Sequence, residues 1–271
     1  MNRTLKDNEN SKLNIQYYNK KLIITSNKSQ SIKSLLFNQS FFSNSVVKRI
    51  ISENRIYDKN NKTLSFKQII EKGQKIYIDL FDRENSDYVP IEYPLEILYE
   101  DDFVIIINKP VDNILFFTKH NDKPCIASYL SHYYKKNKIT AKFRFVNRLD
   151  KDTTGIIIVA KTKFSHTWLL ENHEKIYIAV SPKLYKKAGK ITVPLLRRMP
   201  YTYPCSTEGK EAYTSFREFL CNRNFSVSGV KIKTGRTHQI RAHFKYIGFP
   251  LVGDYAYGGM LSQKAQRYFL H

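Results

Sequence analysis

The chain is organised around the stretch Phe143-Arg-Phe-Val-Asn-Arg-Leu-Asp-Lys-Asp-Thr-Thr-Gly-Ile-Ile-Ile-Val-Ala160. Its first four residues alternate in polarity as a half-buried strand does, and the run from Ile156 to Ala160 is typical of a buried strand. The segment between them is rich in turn-forming residues, and Gly155 can adopt a positive φ. The stretch therefore predicts two strands joined by a loop that presents Asp150. Taken alone, an Asp in such a loop is more often a turn or capping residue than a catalytic one.

The composition indicates a globular protein with a polyanionic partner. The chain has 271 residues, 42% of them hydrophobic, which is enough for one large domain or for a small domain plus a medium one. Lysine and arginine number 45 against 24 acidic residues, giving a formal net charge of +21. The basic residues recur inside ordered-looking segments, which favours a nucleic acid as the partner. The alternative is a lysine-rich proteome that raises the charge without any ligand.

Neither a membrane nor a metal is expected as a partner. Residues Met1 to Asn10 are polar and lack the apolar core of a secretory signal, so a cytoplasmic location is expected. No apolar run approaches the ~20 residues that span a bilayer. The cysteines Cys125, Cys205 and Cys221 are odd in number and widely spaced, which is typical of reduced thiols and offers neither a disulfide framework nor a zinc motif.

The first third of the chain has the pattern of a small α/β unit. Two short helices are predicted, one from Ser31 and one from Ser43, because apolar residues recur there at helical spacing. A short strand at Arg55 to Tyr57 follows. The glycine turn Lys72-Gly73 precedes an alternating strand from Lys75 to Leu80, which closes the unit.

This order of elements resembles the S-four-type (alpha-L) RNA-binding domain, at residues 30–82, with residues 1–29 as an N-terminal extension. A small α/β dimerisation module is the alternative. The resemblance implies that exposed basic side chains contact phosphates and supply salt-sensitive, largely sequence-independent affinity. The candidates are Lys48, Arg49, Arg55 and Lys62.

A polar linker at residues 83–92 separates this unit from a larger one at residues 93–271. Residues 95–110 predict an exposed strand, an acidic turn and a fully buried strand that ends at a proline. Residues 121–138 predict a helix with lysines at its C-terminal end, where positive charge complements the helix dipole. The predicted inward residues of that helix are Ile126, Tyr129 and Leu130.

Two later segments add side chains that could act with Asp150. In the strand Lys175 to Val180, Tyr177 lies on the face opposite the isoleucines. A strand at residues 225–233 leads through Thr234-Gly-Arg236 into a helix predicted to begin near Thr237, which makes an anion-binding corner. The spacing of three and four residues places His238, Arg241 and Lys245 on one face of that helix.

Taken together, these segments resemble the RluA-type pseudouridine synthases in content and order, over about residues 92–271. The segments that carry the resemblance are Tyr99-Glu-Asp-Asp102, Asn108-Lys-Pro110, Arg148-Leu-Asp-Lys-Asp-Thr-Thr-Gly155, Lys175-Ile-Tyr-Ile-Ala179, Thr234-Gly-Arg-Thr-His-Gln-Ile-Arg-Ala-His243, Gly248-Phe-Pro-Leu-Val-Gly-Asp254 and Tyr257-Gly258. An N-terminal S-four-type domain is a common partner in that family.

The resemblance implies isomerisation of uridine within RNA, in which the base is detached from ribose, rotated and rejoined through carbon. On this interpretation Asp150 is the catalytic aspartate, Tyr177 the active-site tyrosine and Arg241 the arginine that pairs with the aspartate. A nucleophilic carboxylate must be ionised, so Arg241 is expected to keep the pKa of Asp150 low through two parallel hydrogen bonds. The ring of Tyr177 offers a stacking face for the extruded uracil, and its hydroxyl could relay a proton.

The target uridine has to leave its stack, which requires contacts to the RNA backbone. The candidates beside the active site are Arg148, Arg236, His238 and Lys245. Uridine isomerisation involves no redox or group-transfer step, so no cofactor or metal is expected. The resemblance favours large-subunit ribosomal RNA as the substrate, with transfer RNA second, and a monomer is expected.

Three features depart from the family pattern. Asn147 stands where the family has His before Arg-Leu-Asp, and activity is expected to survive because this residue supports the loop. Residues 111–115 lack the family's small residues and glycine. Family members continue beyond the position of His271, so either a truncated chain or an unpaired sheet edge is expected.

The expected fold class is α+β: a mixed, largely antiparallel central sheet with flanking helices, preceded by the small α/β unit. The alternative function is a non-catalytic RNA-binding or ribosome-assembly protein on a synthase fold.

Overall fold

The computed structural model of the chain describes residues 14–39, 41–81, 85–116, 124–259 and 267–271. Its N-terminal unit is a four-stranded antiparallel sheet, of order β1-β2-β6-β4, with two helices. The elements of this unit are β1 (Asn14–Tyr18), β2 (Lys21–Thr25), β3 (Gln30–Ser31), α1 (Ile32–Phe37), α2 (Asn44–Ser52), β4 (Ile56–Tyr57), β5 (Ile69–Ile70) and β6 (Lys75–Asp79).

Local capping explains the two predicted helices, which are confirmed. The hydroxyls of Ser31 and Ser43 accept hydrogen bonds from backbone amides in the first turns of α1 and α2, and so satisfy donors that a helix start leaves unpaired. Each helix buries its apolar stripe against the sheet. The predicted boundary at residue 30 is wrong, because β1 and β2 belong to the same sheet and Ile15 and Leu22 lie in its core. Residues 1–13 of the predicted extension lie outside the described residues.

The larger unit contains two four-stranded sheets, of order β7-β8-β10-β9 and β11-β16-β15-β12. All of the strand pairs recorded in these two sheets are antiparallel. Its elements are β7 (Glu96–Glu100), β8 (Val104–Lys109), α3 (Ile126–Lys136), β9 (Arg144–Phe145), β10 (Gly155–Ala160), α4 (Lys163–Glu171), β11 (Ile176–Pro182), β12 (Ala188–Ile191), β13 (Leu195–Arg198), β14 (Tyr201–Pro204), β15 (Thr214–Cys221), β16 (Phe225–Ile232), α5 (Gln239–Tyr246) and a 3-10 turn at Tyr255–Tyr257.

The first sheet packs one face against α3, so its strands alternate in burial. Ile105 and Ile107 of β8 are fully buried while Val104 and Ile106 are half-buried, so the prediction of a fully buried strand is wrong. The inward residues predicted for α3 are buried, as expected. The helix begins five residues later than predicted, at Ile126, and residues 121–123 lie outside the described part.

The predicted linker is attached to the larger unit wherever it is described. The Ser86 hydroxyl accepts a hydrogen bond from the Phe143 amide at 3.1 Å, and the Ile91 amide donates to the Ser128 carbonyl at 3.1 Å. Tyr88 stacks on Phe143, with ring centroids 5.7 Å apart. Residues 85–92 are therefore part of the larger unit, because their side chains cover its core.

The last residues of the chain pair with the edge of β11. The Ile178 amide donates to the His271 carbonyl at 2.7 Å, and the Val180 amide donates to the Phe269 carbonyl at 3.1 Å. An unpaired sheet edge, one of the two expected outcomes, is therefore not found at β11. The same segment contacts the Asp150 loop, where the Thr154 hydroxyl and the His271 Nδ1 lie 2.9 Å apart.

An aromatic cluster joins the two units. The Tyr17 hydroxyl donates to Asp102 at 2.9 Å, and its ring centroid lies 4.8 Å from that of Phe103. Phe42 and Phe164 meet edge to face at 5.5 Å. These contacts lie near the Ala160 end of the β8–β10 strand pair, about 20 Å along β10 from the Asp150 loop. No helix in the described part of the chain is long and apolar enough to cross a membrane.

Candidate active site

Asp150 lies in the loop between β9 and β10, on the wall of a cavity of about 360 Å³. The Thr153 amide donates to the Asp150 carbonyl at 3.1 Å and closes the turn that presents the carboxylate. Tyr177, from β11, and Arg241, from α5, line the same cavity. The fold therefore brings together the three side chains predicted to act jointly, although β10, β11 and α5 are distant in sequence.

Lys109, at the end of β8, is hydrogen-bonded to the loop that carries Asp150. Its side chain is fully buried, and its Nζ donates to the carbonyls of Pro110, Asn113 and Lys151 at 2.8, 2.9 and 2.8 Å. Burial lowers the pKa of Lys109 to about 8 against the raising effect of Asp152 and Asp150. The sequence placed Lys109 in a motif without assigning it a role. The signal that could have found it is a lysine at an inward position of an apolar strand.

Asn147 supports the same loop from the side. Its Nδ2 donates to the Ile156 carbonyl at 2.8 Å, and its Oδ1 accepts from the Ile158 amide at 2.8 Å. One side chain thus bonds to β10 through both its donor and its acceptor. These bonds give a physical basis for the expectation that Asn can replace His at this position.

The prediction that Arg241 makes two parallel hydrogen bonds to Asp150 is wrong. Its Nε and Nη2 donate to the two carboxylate oxygens of Asp254 at 2.7 and 2.8 Å, so the bidentate partner is Asp254. The remaining Nη1 lies 3.9 Å from Asp150 Oδ2, which is an ion-pair separation and too long for a hydrogen bond. Asp254 is 1% exposed and Arg241 7% exposed, so this pair is buried.

The electrostatic balance at Asp150 also differs from the expectation. Burial raises the pKa of Asp150, and the positive charges of Arg241, Arg148 and Arg197 only partly offset that effect. The longer distance to Arg241 is the physical reason, because the attraction between charges weakens with separation. Arg197, in β13, was not singled out from the sequence, because an exposed arginine in a hairpin has no distinctive pattern.

Tyr177 lies on the inward face of β11, opposite the exposed Ile176 and Ile178, as the alternation predicted. Burial and the negative charge of Asp150 raise the pKa of Tyr177 to about 12. The hydroxyl therefore stays protonated, so Tyr177 can donate a hydrogen bond but is a poor base. The ring forms part of the cavity wall, where a flat base could stack on it.

Helix α5 begins at Gln239, and the predicted start near Thr237 is wrong. His238 precedes the helix with a φ of 54°, in the left-handed region. The Gln239 Oε1 accepts hydrogen bonds from the Thr234 hydroxyl at 2.8 Å and the Arg236 amide at 3.0 Å. This glutamine, and not a threonine cap, therefore holds the turn.

The imidazole of His238 points toward Asp150. Its Nε2 lies 3.9 Å from Asp150 Oδ2, and its Nδ1 lies 2.9 Å from the Tyr257 hydroxyl. The Tyr257 oxygen also accepts from the Thr202 amide at 2.8 Å, which leaves its proton available for Nδ1. With that proton donated to Nδ1, the neutral ring carries its own hydrogen on Nε2, facing the carboxylate.

We predict that His238 titrates near pH 4. Burial and then the positive charges of Arg241 and Arg197 lower its pKa to about 4. Because this folded pKa lies below the ordinary value of 6.5, the contribution of His238 to the free energy of unfolding is lost as the pH falls from 6.5 to 4. The loss is on the order of 3 kcal/mol.

The Cε1–H resonance of His238 in NMR spectra, assigned with His238→Gln, measures that midpoint. Urea unfolding of the wild type and of His238→Gln between pH 4 and pH 7 measures the change in stability. A midpoint above 6.5 would contradict the geometry of this corner.

Comparison with known proteins identifies the family to which the chain belongs. Residues 103–246 match the family model for RNA pseudouridylate synthase. The chain is 35% identical over 210 residues to the uncharacterized RNA pseudouridine synthase YhcT of Bacillus subtilis (strain 168), with 74% of this chain and 70% of the relative covered. The chain belongs to the RNA pseudouridylate synthase family. The predicted family, fold class and activity, isomerisation of uridine in RNA, are confirmed.

Two further relatives define the extent of the likeness. The ribosomal large subunit pseudouridine synthase D of Escherichia coli (strain K12) is 33% identical over 225 residues, covering 80% of this chain and 69% of that protein. The human RNA pseudouridylate synthase domain containing 1 superposes with a TM-score of 0.52 at 23% identity, over 65% of this chain and 76% of that one. At that identity the superposition shows the pseudouridylate synthase fold alone.

The predicted RNA-contact residues of this RNA pseudouridylate synthase differ in position. Arg148, Arg236 and His238 line the cavity, whereas Lys245 is exposed on α5 and does not line it. In the N-terminal unit, Lys48 and Lys62 are exposed, and Arg49 is half-buried and pairs with Glu53 at 2.6 Å.

Arg55 is not available to a phosphate. It is 4% exposed, donates to the Phe81 carbonyl and pairs with Glu53. The prediction of an exposed Arg55 is therefore wrong. Arg55 immediately precedes β4, and its side chain is enclosed by neighbouring residues that its local sequence does not reveal.

The three cysteine side chains of the described residues do not pair with one another. Cys125 is buried, Cys205 half-buried and Cys221 exposed, and all three are free. Within the described residues, no group of three or more His, Cys, Asp or Glu side chains is arranged to hold a metal ion.

Proposed function

We propose that this chain converts uridine to pseudouridine in large-subunit ribosomal RNA, with Asp150 as the catalytic carboxylate. The observation that carries the proposal is that Asp150, Tyr177 and Arg241 line one cavity, which is large enough for a nucleotide base. The target uridine leaves its stack, enters this cavity and stacks on Tyr177. The similarity to proteins named ribosomal large subunit pseudouridine synthase D supports the choice of RNA.

In this proposal the N1–C1′ bond breaks, the base rotates and a C5–C1′ bond forms. The C5 proton leaves, and N1 gains a proton. Asp150 acts at the reacting ribose and base, and Arg241 supplies positive charge beside it at 3.9 Å. Arg148 and Arg236 stand exposed at the rim and contact the phosphates that flank the flipped nucleotide.

The N-terminal unit, residues 14–81, acts in the proposal as an S-four-type RNA-binding domain. Its exposed Lys48 and Lys62 are suited to phosphate contacts. The aromatic cluster attaches this unit to the catalytic unit, so one RNA can contact both. We also propose that the protein acts as a monomer in the cytoplasm.

Mapping pseudouridines with carbodiimide in cells with and without the gene tests the substrate. We expect the deletion to remove one or a few sites from large-subunit ribosomal RNA and the wild-type gene to restore them. A loss of pseudouridine sites from transfer RNA alone would show that transfer RNA, the second candidate, is the substrate. A complete, unchanged set of sites in both RNAs would contradict it.

A further inference from the structure

The guanidinium of Arg241 is held by two aromatic rings and by the carboxylate of Asp254. Its guanidinium carbon lies 4.2 Å from the ring centroid of Tyr268 and 4.8 Å from that of Tyr257. Asp254 binds its Nε and Nη2 in the plane of the guanidinium. The orientation of Nη1 toward Asp150 is therefore set by two aromatic rings and one carboxylate.

The same Tyr268 also contacts the catalytic loop. Its hydroxyl lies 3.0 Å from the Thr153 hydroxyl, and both side chains are buried, at 5% and 2% exposure. Thr153 is the residue whose amide closes the turn onto the Asp150 carbonyl. One tyrosine thus contacts the arginine with its ring and the carboxylate's loop with its hydroxyl.

The backbone at Tyr268 is fixed on both sides. The Phe269 amide donates to the Val252 carbonyl at 3.0 Å, and the Phe269 carbonyl accepts from β11 at 3.1 Å. Gly253, next to Asp254, approaches so closely that an added Cβ would lie 2.3 Å from the Arg267 carbonyl oxygen. The segment that carries Tyr268 is therefore locked to the segment that carries Asp254.

We propose that Tyr268 is a positioning residue that sets the separation between Arg241 and Asp150. The inference rests on the proposed function of Asp150. The Tyr268 ring packs on the Arg241 guanidinium, and the Tyr268 hydroxyl is hydrogen-bonded to Thr153 in the Asp150 loop. Both members of the Arg241–Asp150 ion pair are therefore positioned by the same side chain. Tyr268 itself takes no part in bond making. Its contribution is to keep the 3.9 Å geometry during the reaction.

The test measures tritium release from RNA labelled at C5 of uridine, using the full chain. Tyr268→Phe and Thr153→Val each remove one hydroxyl of the pair, and we expect each to lower kcat roughly tenfold with KM nearly unchanged. The double variant should be no slower than Tyr268→Phe alone, because both changes remove the same bond. Thr153→Ser restores the hydroxyl and should restore kcat.

Removing the aromatic ring of Tyr268 tests its contact with the Arg241 guanidinium. In Tyr268→Leu the guanidinium loses one face, so Arg241 lowers the pKa of Asp150 less and the acid limb of the kcat profile should move to higher pH. The other groups that face Asp150 are unchanged in this variant: Arg148, Arg197, His238, Lys109, Asp254 and Tyr177. The chemical shift of the Asp150 carboxyl carbon follows the same pKa without RNA.

Tyr185→Phe is the matched control, since Tyr185 is 94% exposed and its change should leave kcat unaltered. Losses that multiply in the double variant would overturn the proposal, as would a Tyr268→Phe protein with a lower melting temperature but unchanged kcat and pH profile. Should Tyr268→Leu not fold, the hydroxyl variants decide the outcome. A wild-type protein that releases no tritium would refute the proposed function, and the carboxyl-carbon titration would still decide the role of Tyr268.

Discussion

Asp254→Asn is expected to lose about 3–5 kcal/mol of unfolding free energy, because it leaves the charge of Arg241 buried without its anion. The pair is bidentate and nearly inaccessible to water, so no solvent can replace the lost carboxylate. Burial alone would lower the pKa of Arg241, but its hydrogen bonds to Asp254 and that residue's charge raise it, so the guanidinium remains charged. Urea unfolding with an unchanged slope measures the loss.

The same variant should lose activity by about 10²-fold, since a misplaced Arg241 no longer faces Asp150. Glu208→Gln is the matched control. Its partner Arg198 lies 3.6 Å away, and both side chains are largely exposed, so stability should change by no more than about 0.5 kcal/mol. An Asp254→Asn protein as stable as the wild type would show that the Arg241–Asp254 pair does not hold this corner.

Local patterns predicted the strands and the helix beside Asp150, Tyr177 and Arg241, and the face of β11 on which Tyr177 lies. The turn at Asp150 was visible because turn formers stand between two apolar runs, and the inward position of Tyr177 followed from alternation along β11. Both depend on neighbours within a few residues. The same kind of pattern predicted the burial of α3, which packs one face on the first sheet.

Contacts between distant segments could not be read in this way. Asp254 lies 13 residues from Arg241 and reaches it only because the chain turns at Gly253, which has a φ of 79°. Tyr268 reaches the Asp150 loop because the chain's last residues pair with β11. Arg55 looked like a surface residue because nothing in its local sequence shows that its side chain reaches the carbonyl of Phe81, 26 residues away.

Asp150→Asn is expected to lower the rate of tritium release by about 10³-fold or more, which is the scale of removing a reacting side chain. The amide is nearly the same size, so the cavity should keep its shape, but it carries no negative charge. Binding of RNA should persist, because the net charge of +21 comes from basic residues that remain in place. In the wild type, activity should fall as the pH drops through the raised pKa of Asp150, because the proposed mechanism requires the ionised carboxylate.

Asp152→Asn is the matched control, because it removes a carboxylate from the same loop, two residues away, that does not line the cavity. We expect this variant to remain within roughly tenfold of the wild type, as a change outside the reacting groups should.

The most direct test of Asp150 as the catalytic carboxylate is the single-turnover rate of tritium release by Asp150→Asn, with C5-labelled RNA saturated by enzyme. No release above background, together with wild-type affinity for the RNA, is the predicted result. Release within about tenfold of the wild-type rate would contradict it.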